Sequence, residues 1–317
     1  MHEVNVQIIK VDSESEGQRL DNFLLRRLKG LPRSRVYRIV RKGEVRINGH
    51  RAKPRVRLKI GDEVRIPPVR DLDYRGKVAG KFEDLDSLIL FEDSHLIVIN
   101  KPAGMAVHGG SGVVSGVIES LRHSRSDLAK CELVHRIDRA TSGCLMIAKR
   151  RSYLRLLQDA LRRPGTISKQ YIALVHGRWE DENLTVDEPL LTVSRVGYER
   201  FSNVDRSGKP ACTMFRRIAY NKCESISAVE AKPLTGRTHQ IRAHCRWLRR
   251  PIVGDSRYGD KIADRALTKP PIRMFLHARR LDIPALGDRD RLEVAAPFEN
   301  NFGSYLESTL GFDIKNI

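Results

Sequence analysis

No segment of the chain approaches the roughly 18–20 consecutive apolar residues that a membrane-crossing helix needs. Stretches such as Ser87–Ile99 are interrupted by Glu92, Asp93, Ser94 and His95. The N-terminus, Met-His-Glu-Val-Asn-Val-Gln-Ile-Ile-Lys, has no basic region followed by an apolar core, so a secretory signal is not expected there. Cysteine is scarce. Cys131, Cys144, Cys212, Cys223 and Cys245 are an odd number at wide spacing, and no Cys-x-x-Cys occurs. That disfavours a disulfide framework and a structural zinc site, and the expected compartment is the reducing cytoplasm.

Common catalytic signatures are missing as well. There is no Gly-x-x-x-x-Gly-Lys-Ser/Thr phosphate loop and no Gly-x-Ser-x-Gly nucleophile turn. Gly110-Ser111-Gly112 with Gly116 has one residue too many for a dinucleotide fingerprint and follows His108-Gly109 rather than a strand, so it reads as a loop. His239 and His244 are five residues apart. Two metal ligands on one helix face need a four-residue spacing, so no metal is expected there.

What the 317 residues do have is positive charge: 58 Lys+Arg against 39 Asp+Glu, a net +19. With 40% hydrophobic and 31% charged residues the composition is that of a globular protein. The excess is uneven. Residues 1–70 hold 18 basic and 8 acidic side chains, so more than half of it sits in under a quarter of the chain. Such concentration points to a polyanionic partner, nucleic acid before an anionic membrane, because no amphipathic helix with a large apolar face supports the latter.

Residues 4–11 alternate as a strand does. Arg19–Leu28 places Leu20, Phe23, Leu24 and Leu28 at helical spacing. A second helix over Arg33–Arg41, with Pro32 in its first turn, turns Val36, Ile39 and Val40 inward and Arg33, Arg35, Arg38 and Arg41 outward, and Lys42-Gly43 stops it. Short strands follow at Glu44–Ile47 and Glu63–Ile66, with turns at Asn48-Gly49 and Gly61-Asp62. The expected organisation is an RNA-docking module over 1–70 (core 18–66), a linker over 71–86 and a second domain over 87–317. In that domain short strands (Leu88–Phe91, Leu96–Asn100, Cys144–Lys149, Lys169–His176, Ser225–Ala231) outnumber helices such as Ser152–Arg162. This predicts a mixed α+β fold, not a doubly wound parallel sheet.

The first module, from Arg19-Leu20-Asp21 through Ser34-Arg35, Gly43-Glu44-Val45-Arg46-Ile47-Asn48-Gly49 and Gly61-Asp62-Glu63-Val64, resembles the S4 RNA-binding domain. The resemblance implies that the face with Arg33, Arg35, Arg38, Arg41 and Lys42 meets structured RNA. Without it, the pair would read as merely basic, solvated helices.

Three later segments could carry chemistry. In His135-Arg136-Ile137-Asp138-Arg139-Ala140-Thr141-Ser142-Gly143, Asp138 lies between two arginines, whose charges favour an ionised carboxylate able to act as nucleophile or base. Taken alone, this is an ordinary ion pair in a loop. Lys169–Gly177 reads as a strand showing Tyr171 on one face, a residue able to stack, hydrogen-bond or move a proton, yet more often part of a core. Lys232–His244 holds Gly236 at a turn and Arg237 and Arg242 about one and a half turns apart if helical, ready to pair with carboxylate or phosphate.

Together, in order and spacing, the three segments resemble the motifs of the RluA-type pseudouridine synthases. The family pattern His-Arg-Leu-Asp-Arg-x-Thr-Ser-Gly is met at His135–Gly143 with Ile137 for Leu, and Ala140 stands where relatives often carry an acid. Further family-like stretches are Leu96–Val107, Pro251–Gly259 and Phe275–Ala278. The chain looks closest to the RluC branch, which modifies large-subunit (23S) ribosomal RNA. The resemblance implies a pseudouridine synthase fold with a largely antiparallel sheet. It implies Asp138 as the catalytic carboxylate, Arg242 as its partner (Arg237 the runner-up), and Tyr171 stacked on the base. Arg136 would fill the gap left by a flipped nucleotide, and Arg139 and Arg237 would contact RNA. No cofactor is implied, and nothing demands more than a monomer. Two rivals are an N-glycosidic hydrolase, disfavoured because only one carboxylate is obvious where two are commonly needed, and a non-catalytic RNA-binding protein.

Overall fold

A computed structural model of the chain describes residues 6–28, 31, 33–68, 85–109, 116–194 and 200–311. They form two compact units, one of the described residues up to 68 together with Gly109, the other of residues 85–108 and the described residues from 116 to 311.

The first unit runs from β1 (Gln7–Lys10) through helices α1 (Leu20–Arg27) and α2 (Arg33–Arg41) to β2 (Arg46–Ile47), β3 (His50–Arg51) and β4 (Glu63–Ile66). The strands make a sheet of order β1-β4-β2-β3. Leu20, Phe23 and Leu24 pack with Val36, Ile39 and Val40 in one core, as their helical spacing predicts. Asp21, fully buried, joins the helices. It accepts from Arg19 and, at 2.6 Å, from the Tyr37 hydroxyl on α2. Burial opposes its charge, but those bonds outweigh it and hold the carboxyl below its ordinary value. Asn48 and Gly49, at φ +50° and +79°, supply the left-handed pair that a two-residue hairpin between β2 and β3 requires. The strand expected over Glu44–Ile47 starts only at Arg46, because the Glu44 and Val45 amides donate back to Ile39 at the end of α2. Val4, Asn5, Pro32, the Arg33 side chain, Gly110-Ser111-Gly112 and all of the expected linker but Leu85 and Asp86 lie outside the described residues.

The second unit opens with β5 (Ile89–Glu92), β6 (Leu96–Lys101), α3 (Val117–Ser124), β7 (Glu132–Leu133), β8 (Ser142–Ala148) and α4 (Arg151–Arg162). It continues with β9 (Ser168–His176), β10 (Asn183–Asp187), β11 (Leu190–Ser194), β12 (Arg200–Val204), β13 (Cys212–Asn221) and β14 (Ile226–Pro233). α5 (Gln240–Trp247), α6 (Lys261–Ala266), β15 (Leu276–Ile283), β16 (Leu292–Ala295) and α7 (Asn300–Leu310) complete it. The main sheet has the order β10-β13-β14-β9-β15-β8-β6-β5, with β16 beside β15 and β7 beside β8. Its described pairs are antiparallel except β8–β15. The fold is therefore mixed α+β with a largely antiparallel sheet.

Both faces of the sheet are covered, so its central strands are nearly continuous apolar runs. Alternate residues divide between them. Ile97, Ile99, Leu145, Ile147, Tyr171, Ala173 and Val175 face a core shared with α3 and with Ile241 and Cys245 of α5. Leu96, Val98, Cys144 and Met146 face α4, while Ile172 and Leu174 face α7. At the parallel seam Gly143 sits at φ +104°, and a Cβ there would come within 2.2 Å of the Ala278 carbonyl oxygen.

Candidate active site

Asp138 lies in the loop between β7 and β8, on the face shared with Tyr171 and α5. The loop is fixed at several points. Thr141 N donates to Asp138 O at 3.1 Å, Ile137 is buried in the core, and the His135 ring accepts from Met146 N at 3.2 Å. Arg139 O accepts from Gly104 N and from Lys101 Nζ, and Arg139 Nε donates to Gly104 O. Lys101 is fully buried and also donates to Pro102 O and Met105 O. Burial, then the charge of Arg273, lowers its ammonium to about 7 against the pull of Asp138.

The chain-neighbour arginines turn to other partners, and the arginine that meets Asp138 is Arg242, as the resemblance implied. Arg136 is exposed and meets His108 Nε2 at 3.0 Å, and exposed Arg139 turns to Gly104. The cation on Asp138 comes from α5. Arg242 Nη1 donates to Asp138 Oδ2 at 2.8 Å. Arg242 is 5% exposed and is gripped on its far side by Asp255, through Nε and Nη2 at 2.7 Å each. Burial works against its charge, but the two carboxylates outweigh this and raise it above its usual value. Asp255, fully buried, also accepts from the Arg257 and Tyr258 amides. Burial opposes its charge, and Arg242 still holds it below the usual carboxylate range. The guanidinium lies 4.9 Å from the centre of the Tyr258 ring.

Arg237 is not a helical neighbour of Arg242. His239, at φ +53°, breaks the run, and α5 begins only at Gln240, whose side chain closes the preceding turn by accepting from Arg237 N and Thr235 Oγ1. Arg237 Nε instead donates to Pro210 O. His239 and His244 are engaged separately: His239 with Tyr258 and, at 3.8 Å, Asp138, and His244 with Thr213 and Glu188 O.

Tyr171 sits on β9 opposite Ala231 and Ala278, small neighbours that leave room for its ring. Burial, then the charge of Asp138, pushes its phenol above the ordinary value, so it stays neutral. Asp138 is the more accessible partner, its side chain 27% exposed. In the first unit Arg35, Arg38, Arg41 and Lys42 are all exposed on or just after α2.

Sequence reasoning missed Asp255, His239 and Tyr258 as parts of this site. Asp255 is the only acid in the family-like stretch Pro251–Gly259, and that was the available signal.

A buried guanidinium is shared by two carboxylates, Asp255 locked on both oxygens and Asp138 open to solvent, with buried Tyr171 in the same core, an arrangement that can present one carboxylate for acid–base or nucleophilic chemistry. Residues 95–247 match the family model described as RNA pseudouridylate synthase, and residues 18–64 match the S4 domain. The chain belongs to the RNA pseudouridylate synthase family and is an RNA pseudouridine synthase with an N-terminal S4 domain. It is 45% identical over 313 residues to ribosomal large subunit pseudouridine synthase C of Salmonella typhi and 44% identical over 313 residues to that of Escherichia coli strain K12, covering 96% of each chain in both comparisons. Among solved structures it is similar to human RNA pseudouridylate synthase domain containing 4 (TM-score 0.58, 25% identity, 71% of this chain and 94% of that one). It is also similar to domain containing 1 (TM-score 0.56, 26% identity, 72% and 91%).

Proposed function

We propose that the enzyme converts specific uridines of large-subunit (23S) ribosomal RNA to pseudouridine, with Asp138 as the reacting carboxylate. The observation that carries this reading is the Asp138–Arg242–Asp255 arrangement, which leaves one carboxylate open to solvent and tethered through one oxygen to a buried cation. The relatives named above act on the large ribosomal subunit by name.

The reaction breaks the N1–C1′ bond, turns the base and rejoins it through C5. N1 gains a hydrogen and C5 loses one, so nothing enters or leaves overall. Asp138 either attacks C1′ or removes the 2′-hydrogen, and both need a carboxylate held beside the sugar. The buried phenol of Tyr171 stacks on the base and serves the proton transfer at C5. The target nucleotide has to leave its stack, at a cost of a few kcal/mol. Arg136 fills the gap it leaves, and phosphate contacts from Arg139, Arg237, the α2 residues Arg33, Arg35, Arg38 and Arg41, and Lys42 just after them help offset the cost. Residues 1–70 act as the docking module for 87–317, and the substrate places the enzyme in the cytoplasm.

The test is incubation with a 23S transcript and mapping of pseudouridine, wild type against Asp138→Ala. New pseudouridine that disappears in the variant supports the reading. Binding without modification overturns the substrate, and modification surviving in Asp138→Ala overturns the assignment of the carboxylate.

A further inference from the structure

His239 occupies the left-handed backbone region just before α5, uncommon for a residue other than glycine. Its ring is held from one side. Nδ1 lies 2.9 Å from the Tyr258 hydroxyl, and the two rings meet edge-on at 81°. Tyr258 is 1% exposed, stacks on Phe201 at 4.3 Å, and its hydroxyl oxygen already accepts the Ser202 amide at 2.7 Å. Among the described residues Nδ1 is the one acceptor within reach of the hydroxyl proton, so the hydroxyl donates to Nδ1. A neutral imidazole that accepts at Nδ1 carries its proton on Nε2. Nε2 faces Asp138 Oδ1 at 3.8 Å, while Arg242 holds the other oxygen, Oδ2.

We propose that His239 is a positioning residue for the isomerisation: its Nε2–H, set in place by Tyr258, limits the swing of the Asp138 carboxylate about the Arg242 contact and keeps Oδ1 presented to the sugar. The proposal rests on the reading of Asp138 as the reacting group. A carboxylate tethered by one oxygen can still turn, and a displacement of about 1 Å at a reacting atom costs on the order of 10²-fold in rate. At 3.8 Å the donor stands beyond hydrogen-bond distance, so it borders Oδ1 without occupying the lone pair that must react.

Protonation reverses this. An imidazolium draws Oδ1 into an ion pair and away from the sugar, so the neutral ring is the working form and the rate acquires an acidic limb. The groups facing the ring are Asp138 and Asp255, which favour its charge, Arg242 and Arg257, which oppose it, and the Tyr258 hydroxyl. Burial is the largest influence and sets the limb below the ordinary histidine value.

Two measurements on the full-length protein test this. In ¹⁵N spectra of ring-labelled enzyme, His239 is expected as the Nε2–H tautomer, titrating still lower in Asp138→Ala. An Nδ1–H tautomer, or a titration indifferent to that substitution, overturns the placement whatever the RNA result. In single-turnover assays on a 23S transcript from pH 5 to 8, His239→Phe is expected to lose about 10- to 100-fold in rate at unchanged RNA affinity, together with the acidic limb. His239→Gln returns an N–H near the place of Nε2, and recovers most of the rate without the limb. Equal losses in the two variants overturn the donor role. An inert Asp138→Ala beside an unimpaired His239→Phe overturns the positioning role alone, whereas full activity in Asp138→Ala overturns the reading of Asp138 and this role with it.

Discussion

Asp255 closes two 2.7 Å hydrogen bonds on the guanidinium of Arg242, and this leaves a single Arg242 nitrogen, Nη1, to hold Asp138. The bidentate grip fixes the plane of the guanidinium and hence the direction from which Asp138 is approached. Replacing Asp255 by Ala strands a cation that is 5% exposed. Breaking such a buried pair from one side costs roughly 3–5 kcal/mol. Asp255→Ala is expected to lose that much stability in urea unfolding. Asp255→Asn, which keeps the shape and one acceptor, is expected to fold better yet lose on the order of 10²-fold in single-turnover rate through misplacement of Arg242. A wild-type rate in Asp255→Asn would show that the second carboxylate only stabilises the loop.

His277 is fully buried between Ser142 and Ala296. Its Nε2–H donates to Ala296 O, so Nδ1 accepts the Ser142 hydroxyl, whose oxygen in turn accepts from Arg273. Burial first, then the charges of Arg273 and Arg279, lower its pKa to about 3. Unfolded histidine binds a proton near pH 6.5, so between about 6.5 and 3 the unfolded state holds the extra proton and stability falls as pH falls. From pH 7 to 5 this one group removes about 2 kcal/mol. His135, which burial also lowers to about 3, acts in the same direction. Unfolding free energies at the two pH values should show the loss, and His277→Gln should shrink it whatever its effect at pH 7. An identical pH slope in the variant would mean that His277 is already charged in the fold.

Lys101 acts in the same direction, in a higher pH window. Its ammonium, lowered to about 7 chiefly by burial, gives up its proton in the fold while the unfolded chain keeps it to about 10.5. Between those values the unfolded state holds more protons, so stability rises with pH. From pH 7.5 to 9.5 the gain from this group is up to about 2.5 kcal/mol. Lys101→Met should flatten that rise and, by removing the Lys101 donor from the Pro102 and Met105 carbonyl oxygens and leaving Arg139 O with Gly104 N, lower stability at pH 7. Chemical unfolding at both pH values measures each effect, and a rise of equal size in Lys101→Met would exclude Lys101 as its source.

Local pattern made much of the fold legible. The spacing of Leu20, Phe23 and Leu24, the Lys42-Gly43 stop and the Asn48-Gly49 turn are short-range signals, and the corresponding elements match closely. The parallel β8–β15 seam left no local trace, because its partners Ser142 and His277 are far apart in the chain. The site divides the same way. Asp138 and its partner Arg242 could be picked out by motif, whereas local charge alone pointed to the chain neighbours Arg136 and Arg139. The true contact spans 104 residues, and Asp255, Tyr258 and His239 matter only because folding brings α5 and the loop after it over the sheet.

The exposed face of α2 offers the last prediction. Arg35, Arg38 and Arg41 stand on a helix tied to α1 through the Tyr37–Asp21 bond, so the array is rigid rather than a loose basic tail. A rigid cation that neutralises a phosphate releases counterions, and each such contact contributes roughly 0.7–0.9 to the slope of log affinity against log salt. Replacing Arg35, Arg38 or Arg41 singly by Gln should weaken binding to a 23S fragment at low salt and reduce that slope by about one contact's share. The triple variant should lose about 2–3 units of slope, with a correspondingly smaller penalty at high salt. Asp21→Ala should weaken binding too, by loosening the helix, but should leave the slope nearly intact because no cation is lost. Filter binding or anisotropy titrations from 50 to 300 mM salt separate these outcomes, and an unchanged slope in the triple variant would move the RNA-docking surface off α2.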